Sequence, residues 1–167
     1  MMRTYTHAQE AVANLPYALM ALIGGALLAV SSGGAAWGWW AAGGYVAYAA
    51  LGAFWVMVFV CPYCAFFATR NCPCGYGQVA PRFVKKSSVE CFAVQFRKHI
   101  PVIVPLWIIP AAAGGWALYG RFSWLILGLL AAFVADAWII LPLVSRQHGC
   151  TECPQKDDCP WMGKAGA

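Results

Sequence analysis

Eight cysteines carry the chemistry of this 167-residue chain, and they fall in two stretches. The first holds Cys61, Cys64, Cys72, Cys74 and Cys91, as C-P-Y-C, then C-P-C-G, then a single cysteine. The second holds Cys150, Cys153 and Cys159, spaced C-x2-C-x5-C-P. A C-x-x-C turn sets two sulfurs on one face of a metal centre, and a short loop brings in a third. Thiolates ligate zinc and iron–sulfur clusters, and they also act as redox nucleophiles. The spacing alone leaves these chemistries open.

The elements that position the cysteines are apolar. The chain is 62% hydrophobic and 10% charged, whereas a soluble domain is about half apolar and roughly a quarter charged. An all-α integral membrane protein is expected, a single domain over 1–167. A helix crossing ~30 Å of hydrocarbon needs about 20 apolar residues. Four stretches fit, about 15–31, 39–60, 100–118 and 122–144, the first of them short. The first also has signal-peptide character, between Arg3 and Ala35-Ala36, and is read as a retained transmembrane helix. The cysteines then lie in a loop, 61–99, and in a C-terminal tail, 146–167.

Charge sets the expected sidedness. Of the 11 Lys and Arg residues, Arg121 alone lies in a hairpin opposite the cysteines. The positive-inside rule then places loop, tail and both termini in the cytoplasm. The net charge of +5 is a topology signal and calls for no nucleic acid. The cytosol keeps thiols reduced, so ligation or thiol catalysis is expected ahead of structural disulfides.

Local patterns fill in the scaffold. Residues 1–14 are polar and read as a surface segment, and Ala21, Gly25 and Ala29 read as a small-residue face for close helix packing. Trp37, Trp39, Trp40, Trp116, Tyr119, Phe122 and Trp124 read as an interfacial belt. Ser87 and Glu90 have capping-box spacing before a short amphipathic helix, which turns Cys91 to its polar side. Pro105 and Pro110 are expected to kink the third span. Asp136 is the one acid within a span and a candidate for proton transfer; the alternative is a carboxylate bonded to a tryptophan such as Trp138 or Trp55. His7, His99 and His148 are interfacial, and the last two are candidates for bonding a quinone head group.

The tail, Cys150-Thr151-Glu152-Cys153 through Cys159-Pro160, resembles the segment that holds three corners of a [4Fe–4S] cluster in RecB-type iron–sulfur nucleases. It is also similar to auxiliary-cluster segments of some radical enzymes. The likeness covers about ten residues and implies a ligand pattern only: Cys150, Cys153 and Cys159 with one distant cysteine. Cys61-Pro62-Tyr63-Cys64 is the glutaredoxin tetrapeptide, without the soluble domain that carries it in that family.

Eight thiolates suffice for two such clusters, with Cys74 and Cys91 unassigned between them. The competing reading is a closed zinc site from Cys61, Cys64, Cys150 and Cys153. The expected function is an integral membrane iron–sulfur subunit passing electrons between a cytosolic redox partner and the membrane quinone pool, within a larger complex. The alternatives are a membrane protein stapled by structural zinc, and a thiol–disulfide oxidoreductase or soft-metal carrier.

Overall fold

The computed structural model describes residues 4–150, 153–157 and 159–160, without the side chains of His148, Gly149 and Cys150. Arg3 and Lys164 lie outside the described residues. Among the described residues there are helices and turns and no strand.

The first helix, α1 (His7–Ser31), starts eight residues before the expected boundary. Its start is a reciprocal cap: Gln9 N–H donates to Thr6 Oγ1 at 3.4 Å, and Thr6 N–H donates to Gln9 Oε1 at 3.0 Å. Residues 7–14 of the polar opening are therefore the first turns of α1, and several of them are exposed. The Thr6-x-x-Gln9 spacing is the sequence signal for it. Gly33 and Gly34, at φ 69° and 89°, turn the chain into α2 (Ala36–Phe59).

Next come a tight turn, Cys61–Tyr63, and the one-turn helix α3 (Tyr76–Val79). A second tight turn, Val89–Cys91, leads into α4 (Phe92–His99). The expected Ser87–Glu90 capping box is not formed: Ser88 precedes the turn and makes no side-chain cap bond. A turn at Ile100–Ile103 then joins α4 to α5 (Pro105–Gly120). Pro105 opens α5, where its missing N–H costs nothing, so it starts the helix and does not kink it. Beyond α6 (Trp124–Ala135) the helix widens by one residue per turn at Asp136–Ile140 and continues as α7 (Leu141–Val144).

Four helical runs are long and apolar enough to cross a membrane: His7–Ser31, Ala36–Tyr63, Val89–Gly120 and Trp124–Gln147. Their outward residues are apolar, among them Leu22, Leu51, Ile108 and Leu125. Apolar residues on all sides of a helix are what lipid requires.

The chain divides into two compact units. One comprises Met1–Leu15, Ala53–Pro101 and Leu143–Ala167; it carries every cysteine and all described basic residues but Arg121. The other comprises Pro16–Gly52 and Val102–Pro142, with a core around Met20, Leu27, Tyr45, Leu106, Ile126 and Phe133.

In this second unit small residues let α1 and α2 close on each other. Ala21, Gly25 and Ala29 are all buried, and a Cβ on Gly25 would sit 3.2 Å from Val46 Cγ2. Gly24 is tighter still, since a Cβ there would lie 2.6 Å from Tyr45 Cε1. Tyr45 is fixed because its hydroxyl donates to the Leu106 carbonyl at 2.7 Å. Pro110, four residues on, has no N–H to offer that carbonyl.

Trp107 does the same for the widened turn. The N–H of Leu141 bonds Asp136 O, and Pro142 has none to give Ala137 O. The Trp107 indole donates to Ala137 O at 3.3 Å. Replacement Gly24→Ala is expected to lower stability by about 1–3 kcal/mol by overpacking against Tyr45. Thermal unfolding in detergent reads this, and an unchanged midpoint would contradict the close approach.

Candidate thiol site

The leading cysteine pair follows directly from the end of α2. Cys61 is buried with Phe67 and Ala80, beside Met57, Tyr76 and Val84. The turn closes through Cys64 N–H to Cys61 O at 3.0 Å, and Phe67 N–H returns to Cys64 O at 3.1 Å.

The second pair sits in a loop shaped by glycine. Gly75 has φ 75° and bonds back to Cys72 O at 3.2 Å. Gly77 N–H points at Cys72 Sγ, 3.2 Å away. Nothing larger fits at 77, because a Cβ would lie 2.5 Å from Phe66 O and 3.0 Å from Cys72 Cβ. The start of α1 braces this loop: Asn14 Nδ2 donates to Cys74 O at 2.9 Å, and Gln78 Nε2 donates to the Glu10 carboxylate. That carboxylate also pairs with His7 Nδ1 at 3.0 Å.

The tail is tied to the loop by one side chain. Gln155 is buried, accepts from Ala65 N–H at 2.8 Å, and donates to Tyr63 O at 3.2 Å and Val89 O at 3.0 Å. Its neighbours Cys153 and Cys159 are thereby carried to the loop, and Cys159 is itself buried.

The thiols feel one another. Cys72 and Cys74 Sγ are 3.6 Å apart. The Cys74 thiol donates to Cys72 and lowers it to about 6; burial opposes this, and N–H groups of Gly77, Cys74 and Gly75 reinforce it. The same bond, then burial, holds Cys74 well above its ordinary value. Of the two, Cys72 is the one whose surroundings favour the thiolate. Burial pushes Cys64 up to about 12; charge on Cys72, Cys153 and Cys159 acts in the same sense, against a backbone N–H from Phe66. Burial also raises Cys153.

The structure therefore brings Cys61, Cys64, Cys72, Cys74, Cys153 and Cys159 into one unit where their charges interact. The seven cysteines whose side chains are described are free thiols. Cys91 is exposed at the rim, on the turn that packs against Cys61–Tyr63. The Cys150 and His148 side chains lie outside the described residues. Among the described residues no three His, Cys, Asp or Glu side chains converge to metal-holding distance. The donor set suits a soft metal in its chemistry, all sulfur and no carboxylate, and the described side chains do not form a closed cage.

Asp136 belongs to the other unit. It is 3% exposed, and neither carboxylate oxygen has a hydrogen-bond partner. The expected tryptophan partner is absent: Trp55 Nε1 is itself unpaired, and the indole of Trp107 bonds the neighbouring carbonyl. His99 stacks on Phe59 at 4.9 Å, with interplanar angle 17°.

Gln155, Gly77, Glu10 and Asn14 are the residues that sequence reasoning misses. The first two have a signal of sorts: an amide inside the C-x2-C-x5-C tail, and C-P-C-G-Y-G, whose glycines free N–H groups near a sulfur. Comparison with family models, with curated proteins and with solved structures finds no match to this chain.

In metal-free reduced protein one thiolate is expected to titrate near pH 6, read as thiolate ultraviolet absorbance. Cys72→Ser should abolish that step and Gly77→Ala should move it upward. Persistence of the step in Cys72→Ser would contradict the assignment.

Proposed function

We propose that the chain is an integral membrane protein whose cysteine cap holds an iron–sulfur centre and passes electrons between a soluble redox partner and the membrane quinone pool. The observation that carries this reading is the seating of the tail thiols against the loop thiols by Gln155. Cys150, Cys153 and Cys159 would supply three ligands of a [4Fe–4S] cluster. Cys64, which interacts with both Cys153 and Cys159, is the best placed fourth. Cys61, Cys72, Cys74 and Cys91 are the thiols left for a second centre.

A bound cluster supplies one-electron transfer. The chain's own residues do the rest. Backbone N–H groups around Cys72 stabilise a thiolate before any metal arrives, and the buried Cys61–Phe67–Ala80 packing keeps water from that side. Exposed Arg70, Arg82, Lys85, Lys86, Arg97 and Lys98 offer a cationic face to an acidic redox partner. Asp136, buried without a partner, is the group in the second unit suited to take up a proton.

Structural zinc is the second reading. The N–H bonds to Cys72 Sγ favour any thiolate-bound metal, zinc as well as iron. Anaerobic purification separates the two. Iron and acid-labile sulfide at about four each per cluster, with absorbance that bleaches on reduction, is the expected result. Zinc without sulfide would replace electron transfer by a structural role. Metal-free protein with a cycling Cys61–Cys64 disulfide would point to thiol chemistry.

A further inference from the structure

Within the second unit, the hairpin after α1 and the end of α5 enclose a cleft of about 320 Å³. The geometry points to this cleft as a binding site for the headgroup phosphate of an acidic phospholipid. The inference rests on the reading that the helices cross a bilayer, and it is independent of any metal at the cysteines.

Four features carry it. Arg121 lines the cleft, and its backbone N–H is anchored to Ala117 O at 2.9 Å. Among the described residues no carboxylate lies within ion-pair distance of it; the described ion pair is His7–Glu10. Ser31 also lines the cleft, and its Oγ, just beneath the surface, has no hydrogen-bond partner, whereas the Ser32 hydroxyl is already bonded to Ala29 O at 2.7 Å. Gly33 keeps the cleft open: at φ 69° it resists a side chain, and a Cβ would stand 3.3 Å from Arg121 Nη2.

The chemistry of the opening selects the ligand. A guanidinium pairs with phosphate oxygens through charge-assisted bonds, and a hydroxyl without a partner can donate one more. Trp116 lines the cleft, and Trp116, Tyr119, Phe122 and Trp124, all from the hairpin that carries Arg121, are exposed. Such residues sit at headgroup depth, with acyl chains below. A free phosphate leaves these apolar rings uncovered, whereas a phospholipid lays its glycerol and upper chains along the exposed Trp116. The lone cation favours an acidic lipid, because a choline headgroup would set its own positive charge beside Arg121.

The test uses the full-length protein in detergent, mixed with phosphatidylglycerol or phosphatidylcholine of equal chain length and examined by native mass spectrometry. One phosphatidylglycerol per chain should be retained in preference to phosphatidylcholine. Arg121→Gln should weaken retention about tenfold, the loss typical of a charged hydrogen bond. Ser31→Ala should weaken it less. Arg121→Lys should keep the preference, and Trp40→Ala, an exposed residue outside the cleft lining, should change nothing.

Equal retention of the two lipids by the parent chain would overturn the site, and so would undiminished binding in Arg121→Gln. Full displacement of the lipid by millimolar inorganic phosphate would make this a free-anion site and overturn the lipid assignment. Should Arg121→Gln fail to fold, the lipid comparison, the Arg121→Lys variant and the phosphate competition still decide.

Discussion

One buried carboxamide ties the tail thiols to the loop thiols. Gln155 bonds Ala65, Tyr63 and Val89, three backbone positions from two parts of the loop. Each such bond nets about 0.5–1.5 kcal/mol, and leaving a buried partner unpaired costs about 1–3 kcal/mol. Cys153 and Cys159 lie two residues before and four after it, so their position follows from that one docking. Without it the loop holds two cysteine pairs and the tail a separate run. The brace from α1 acts on the other side, through Asn14 and Glu10 on the Cys74–Gly75 loop.

A related constraint shapes the second unit. A carbonyl that has lost its donor to a proline inside an apolar helix needs another partner, and at two prolines a side chain supplies it. Tyr45 answers Pro110 at Leu106 O, and Trp107 answers Pro142 at Ala137 O. Tyr45 is buried and Trp107 half-buried with their polar ends occupied, and Gly24 gives Tyr45 room. Asp136 breaks the pattern. Neither of its buried carboxylate oxygens has a hydrogen-bond partner among the described residues, and an unpaired carboxylate is far costlier to bury than an unpaired hydroxyl such as that of Ser31.

Much of this was legible beforehand, and the reasons are physical. Runs of apolar residues announce helices of membrane length because composition and length suffice. The small-residue face of α1 is visible because Ala21, Gly25 and Ala29 repeat at helical spacing. Boundaries were harder. The start of α1 hides behind Glu10 and other polar residues, although Thr6 and Gln9 cap it. Ser87 and Glu90 have the right spacing for a cap that the chain does not make. Proline spacing predicts a kink at Pro105, yet a first-turn proline is a start signal. In the site, the cysteines declare themselves and their supports do not. Gln155 reads as a surface amide until its three partners, far away in sequence, are known.

The central claim is that loop and tail form one thiol site. The most direct measurement is to treat the reduced, metal-free chain with a short reagent that bridges two thiols, and to map the joined peptides by mass spectrometry. The account predicts bridges from Cys61 or Cys64 to Cys153 or Cys159, lost in Gln155→Ala. Bridges confined to one stretch, with the tail thiols reacting singly, would contradict it.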